Sequence, residues 1–215
     1  MEMTITQKYL LCAVGEHGSA SALSTEKLAC LLAACLAELH CAGCLTVSGR
    51  CAGITGELTE SRGHLAPVYR HIRRRGPLRL DRLLLDYSCS PADRRLNELF
   101  CALGDSLAGA VRPGRSRLLH RPRYVPEPEA AAAVADSLLG GPSGGAPLSC
   151  GDALLALLLD IGGAADGLLD ADAQARLRRR LAEALSAPDG AETKAAAEWL
   201  RAVLRGMTAP VGAAC

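Results

Sequence analysis

The chain has 215 residues, a formal net charge of +1, 49% hydrophobic and 3% aromatic residues, and ten cysteines. The length suits one domain and the apolar fraction excludes a disordered chain. One Phe, one Trp and four Tyr leave Leu, Ala and Val to build the core.

Residues 4–14 (TITQKYLLCAV) read as a short helix, ended by the turn from Gly15 to Gly18. Ser24 is placed to cap the next helix, although Lys27 stands where a full capping box needs Glu or Gln. Leu28, Leu31, Leu32, Cys35, Leu36 and Leu39 follow the three-four spacing of a buried face. This segment is apolar nearly all round, which predicts a central helix stopping near Gly43. Leu45–Val47, a Ser48-Gly49 turn and Cys51–Ile54 predict a short hairpin.

His64–Arg75 is predicted helical, with Leu65, Val68 and Ile72 on one face and Pro67 tolerated in the first turn. Leu78–Tyr87 predicts another helix. Pro91, following Ser90, predicts the start of a helix that runs to Gly109 with Leu96, Leu99, Phe100, Leu103 and Leu107 inward. The stretch from Val111 to His120 predicts a second hairpin turning at Pro113-Gly114. Glu129–Leu139 reads as a helix and Gly140–Gly145 as a flexible loop. Asp152 is the expected cap of an Ala/Leu-rich core helix, followed by amphipathic helices over Asp172–Leu185 and Glu192–Arg205. The chain is expected to fray after Gly206. The fold class is therefore mainly α, a compact helical domain over 1–208 with one or two short β-hairpins and a flexible tail at 209–215. No fixed-period repeat is visible.

The longest obvious apolar run, Leu28–Ala37, is short of the roughly 18–20 residues of a membrane span. The opening MEMTITQKYLL lacks the basic start and apolar stretch of a signal peptide. A soluble cytoplasmic chain is the expectation, and in that compartment the cysteines are read as thiols. Cys12, Cys30 and Cys35 lie in helical apolar patterns, where Cys acts as a small hydrophobe. Cys41, Cys44 and Cys51 with His40 invite a zinc reading, but there is one Cys-x-x-Cys pair and His40 points away from Cys41 on a helix. The helix-end reading, with Gly43 as the stop, is preferred, and no metal or cofactor is expected. No nucleophile elbow, Walker loop, dinucleotide fingerprint or HExxH motif is present, so no catalytic residues are assigned and no enzyme is expected.

The small net charge conceals a strong asymmetry. Residues 1–69 carry −2, residues 70–123 carry +8 and residues 124–215 carry −5. All 13 cations of the middle block are arginine, which stays charged and makes bidentate contacts with phosphate. The bland account is a solvated face in an arginine-rich chain, with 21 Arg to 3 Lys. The functional account is a phosphate-facing surface, for which Arg94, Arg95, Arg115, Arg117 and Arg121 are the candidate headgroup-binding residues.

The order of segments resembles the Golgi phosphoprotein 3 family, specifically its shorter bacterial members. Ile5–Gly18 (ITQKYLLCAVGEHG) resembles its opening helix and turn. Leu36–Leu45 (LAELHCAGCL) resembles its "LxELxxxGRL" helix end, with Cys44 in place of the basic residue. His64–Tyr87 resembles its paired helices with a central Pro. Leu96–Val111, followed by Leu118-Leu119 and Pro126, resembles its helix, turn and hairpin, and Asp152–Ala164 (DALLALLLDIGGA) its late core helix. The resemblance covers nearly the whole chain. It implies a mainly helical fold with a projecting hairpin and peripheral membrane binding through phosphatidylinositol 4-phosphate. In eukaryotic members it further implies binding to cytosolic tails of glycosyltransferases. The lipid pocket it implies uses a Trp, an early Arg and two Arg three apart. Those positions fall near Leu23, Leu32, Leu96 and Leu99, all apolar here, and Arg94 and Arg95 are not three apart. The single Trp, Trp199, lies in the last helix.

The leading expectation is a non-catalytic cytoplasmic protein, peripheral at an anionic membrane surface or phospholipid headgroup. The Val111–Val125 hairpin is then a surface for protein partners or self-association. The alternative is a winged-helix-like nucleic-acid-binding regulator with Arg115–Arg121 as its wing. The sequence opposes it, since no helix before the hairpin combines polar readers with a short turn.

Overall fold

A computed structural model describes residues 3–15, 18–90, 93–115, 122–140, 147–188 and 190–209. The chain is mainly helical, as predicted. Its helices are α1 (Ile5–Ala13), α2 (Thr25–Cys41), α3 (Ala66–Arg75), α4 (Leu80–Ser88), α5 (Arg94–Ser106), α6 (Pro128–Leu139), α7 (Cys150–Ile161), α8 (Ala171–Ser186) and α9 (Ala191–Thr208). Strands β1 (Leu45–Ser48), β2 (Cys51–Ile54) and β3 (Leu78–Arg79) form one antiparallel sheet, and β4 (Val111–Arg115) pairs with β5 (Pro122–Pro126) in another.

The central helix forms as its sequence dictates. The Lys27 backbone N–H donates to the Ser24 hydroxyl at 3.3 Å, and every residue from Leu28 to Leu39 is buried. Around it pack α1, α7, α9, α4 and the β1–β2 hairpin. Its one buried charge is Glu38. One carboxylate oxygen of Glu38 accepts the Thr6 N–H at 2.6 Å and the other meets His64 Nε2 at 3.2 Å. That carboxylate joins α1, α2 and the 3₁₀ turn Glu60–Leu65 that leads into α3.

Several boundaries differ from expectation, each for a local reason. Leu78–Arg79 is not helical; it pairs with Ala52 and Cys51, so a tertiary edge wins over the helical periodicity of LRLDRLLLDY. Helix α5 begins at Arg94, because Asp93 adopts a left-handed backbone (φ 52°), and it closes at Ser106 rather than Gly109. Pro113 and Gly114 lie inside β4, paired with Tyr124 and Arg123, so they are strand residues and not the turn. Ser149 caps α7: its hydroxyl accepts the Asp152 N–H at 3.1 Å, while the Asp152 carboxylate pairs with Lys8 Nζ at 3.2 Å. Helix α9 continues past Gly206 to Thr208. The predicted loop at 141–145, the hairpin tip at 116–121 and the tail beyond 209 lie outside the described residues.

The second hairpin is tied to the body at Gly18, whose carbonyl accepts the Tyr124 N–H at 2.7 Å. Gly18 has φ +55°, and a Cβ there would stand 2.7 Å from the Val125 nitrogen. Gly49 has a similar φ of +59° with open space around it. Gly49→Ala is expected to cost only the left-handed penalty, about 1 kcal/mol. Gly18→Ala adds a backbone collision and should cost about 2–4 kcal/mol. Urea-unfolding midpoints of the two variants measure the difference.

Glu38 yields a pH prediction. Burial pushes its carboxyl up, but the hydrogen bonds from His64 and Thr6 outweigh that and hold it below the ordinary 4.5. Its stabilising contribution is therefore complete above pH 4.5 and is lost as pH falls through the lower folded-state value. Glu38→Gln is expected to lose about 1–3 kcal/mol at neutral pH. It should also flatten the acid limb of stability against pH, read by urea unfolding across an acid series.

Candidate functional site

Helix α3 has an inward face of Val68, Tyr69 and Ile72 and an outward face on which residues four apart line up. Arg70 with Arg74, and His71 with Arg75, are such pairs. The last turn of α3 carries Arg73, Arg74 and Arg75, where cations complement the helix dipole, and Gly76 (φ +74°) ends it. Beside this face, α5 presents Arg95 and Glu98, and α4 presents Tyr87.

Together these residues enclose a cleft of about 180 Å³ lined by Pro67, Arg70, His71, Arg74, Arg75, Tyr87, Arg95 and Glu98. Four guanidiniums face one carboxylate, Glu98, which pairs with Arg70 at 2.9 Å with both side chains half exposed. The cleft floor is held by Asp86. Its carboxylate accepts from His71 Nε2 at 3.0 Å and from Arg82 Nε at 2.9 Å, and its carbonyl accepts from Arg95 at 3.4 Å. The His71 ring stands edge-on to buried Tyr87, with centroids 5.8 Å apart. Cations clustered in a recess over buried Tyr87 concentrate the positive field at its mouth.

Two other depressions carry less net charge. A groove of about 770 Å³ beside α6 and α8 opposes Arg112 and Arg176 with Asp136 and Asp170, and Arg112 is already paired with Glu127 at 3.0 Å. Arg112 and Arg123 line a shallow hollow on the hairpin. The α3–α4–α5 cleft is thus the strongest anion site among these three.

A family model, Golgi phosphoprotein 3 (GPP34), matches residues 5–207. The chain belongs to the Golgi phosphoprotein 3 family. A search of the curated proteins finds no match. In this family member the four positions that sequence assigned to the lipid pocket are used for packing. Leu32 and Leu99 are fully buried, Leu96 is 8% exposed, and Leu23 packs half-buried against the core.

Of the candidate arginines, Arg95 lines the cleft, while its neighbour Arg94 is exposed on α5 and does not. Arg115 enters β4 through its pairing with Pro122, and Arg117 and Arg121 lie outside the described residues. Arg70, His71, Arg74 and Arg75 are cleft residues that sequence reasoning did not select. The available signal was their spacing on the polar face of α3. Of the residues weighed as zinc ligands, His40 stacks on Trp199 at 4.7 Å with its Nδ1 at 3.1 Å from the Leu45 carbonyl, and Cys44 donates to the Glu57 carbonyl at 3.0 Å. Among the described residues no three metal-ligating side chains converge, and no helix is long and apolar enough to cross a membrane.

Burial holds His71 below its ordinary value of 6.5; the Asp86 carboxylate opposes this, and Arg95 and Arg75 reinforce it. His71 is therefore neutral at pH 7, and acidification adds a further cation to the cleft. Histidine NMR is expected to give a midpoint below 6.5, and Asp86→Asn should lower it further. A midpoint above 6.5 contradicts this account of the cleft.

Proposed function

We propose that this family member is a non-catalytic protein that docks peripherally on anionic membranes, taking headgroup phosphates in the α3–α4–α5 cleft. The convergence of Arg70, Arg74, Arg75 and Arg95 against a lone Glu98 carries the reading. Guanidiniums suit phosphate because they bind it bidentately and keep their charge at every physiological pH. Family membership supports a phosphatidylinositol 4-phosphate-type ligand. The cleft arginines differ from the pocket positions that the resemblance implied, so the headgroup contacts we propose are this chain's own. The β4–β5 hairpin is the surface we assign to protein partners or self-association.

Vesicle flotation tests this. Vesicles of phosphatidylcholine doped with phosphatidylinositol 4-phosphate, or with phosphatidylserine, are expected to carry the protein at low ionic strength and to release it as salt rises. With about 1 kcal/mol for each arginine near an anionic surface, Arg74→Gln with Arg95→Gln should lower partitioning about 30-fold. No flotation at low salt overturns the reading. A salt-dependent shift of duplex DNA by the same arginines would favour a nucleic-acid partner instead.

A further inference from the structure

A further pocket lies away from the arginine cleft, between the start of α2 and the ends of α7 and α9. It is an open recess of about 280 Å³. Its walls are Ala29 and Cys30 from α2, Ile161 from α7 and Leu204 from α9. Ile161 is 43% exposed, the one large hydrophobic side chain so exposed among the described residues. Burial pushes the Cys30 thiol up to about 11, so this wall is a neutral, apolar surface at physiological pH.

The rim is charged. Arg201 and Arg205 stand one turn apart on α9 and border the opening. Within the described residues neither guanidinium makes a hydrogen bond or ion pair. Glu26 is the single carboxylate at the rim. Its charged form is already favoured by hydrogen bonds from its own backbone and from Ser24. An apolar recess beside two uncommitted cations is complementary to an amphiphile with one anionic head and one aliphatic tail.

We propose that this pocket binds a medium-chain carboxylate, the tail against Ala29, Cys30, Ile161 and Leu204 and the carboxylate between Arg201 and Arg205. The size agrees. The pocket lies just below the roughly 300–1,000 Å³ of ordinary ligand clefts. At about 30 Å³ for each water-sized group, it holds about nine such groups. That fits one short aliphatic chain. The carboxylate gains charge-assisted hydrogen bonds that, among the described residues, neither arginine gives to another group. This pocket shares no residue with the arginine cleft, so the assignment stands independently of the membrane reading.

Isothermal titration calorimetry of the full chain with hexanoate, octanoate and decanoate, each below its critical micelle concentration, tests it. Each added methylene is expected to tighten binding about fourfold until the pocket is full. Arg201→Gln with Arg205→Gln should weaken decanoate at least about tenfold, because both charge-assisted contacts are lost. Ala29→Phe fills the recess and should abolish binding, with circular dichroism reporting whether that variant folds. The α9 variants alter the pocket rim and serve as the decisive test if it does not. Arg74→Gln with Arg95→Gln should leave decanoate affinity unchanged. Absence of binding by all three carboxylates overturns the proposal. So does decanol binding as tightly as decanoate, or an affinity insensitive to Arg201 and Arg205.

Discussion

The Glu38 carboxylate is the constraint on which the arrangement of the other elements depends. Helix α2 is buried almost all round by aliphatic side chains, and apolar contact alone would let its neighbours slide and rotate. Glu38 removes that freedom because each of its oxygens has a partner of fixed geometry: the Thr6 N–H on α1 and the His64 ring before α3. A buried pair of this kind adds little net stability, since desolvation offsets the attraction. Breaking it is costly, however, because one group is left charged or polar without a partner. Its role here is positional.

That positional role reaches the arginine cleft along two routes. His64 sits just before α3, so the contact that fixes it also fixes the phase of the helix carrying Arg70, Arg74 and Arg75. On the other route, Thr6 anchors the first turn of α1. The neighbouring Gln7 amide donates to the Ser106 hydroxyl at 2.9 Å and to its carbonyl at 3.3 Å. Ser106 closes α5, the helix carrying Arg95 and Glu98. Both walls of the cleft are thus referred to one buried carboxylate. Guanidiniums repel one another, and holding four of them at one cleft requires that the backbones beneath be fixed independently.

The helices were legible where local chemistry and periodicity agree, as in α2, with Ser24 at its start and leucines three and four apart. Legibility failed where two local signals compete. Ser149 and Asp152 are both good capping residues, and only the tertiary partner of Asp152, Lys8, shows which one is free to cap. Pro113-Gly114 is ordinary turn chemistry, yet the pairing of β4 with β5 places it mid-strand. For the site, regional charge pointed to the middle block and to Arg95. It could not separate the cleft arginines from the other members of a block of 13, because the choice depends on how α3 is rotated against α5. The His64–Glu38 contact just before α3, together with the direct packing of α3 on α5, fixes that rotation.

The cleft also carries its own competitor. Glu98 pairs with Arg70, and without an anion this contact offsets part of the positive field. An exposed ion pair of this kind is weak, because water screens it and both side chains lose freedom in forming it. A phosphate entering between α3 and α5 meets Arg74, Arg75 and Arg95 as well as Arg70. A dianion facing four cations has a far larger electrostatic claim than one carboxylate facing one. Under the proposed reading, Glu98 is a counter-charge that Arg70 exchanges at small cost, and its pairing with Arg70 offsets part of the like-charge repulsion in the cleft. Asp86 differs from it in kind. It is buried, with hydrogen bonds to His71 and Arg82, so it remains in place as the floor whichever anion occupies the mouth.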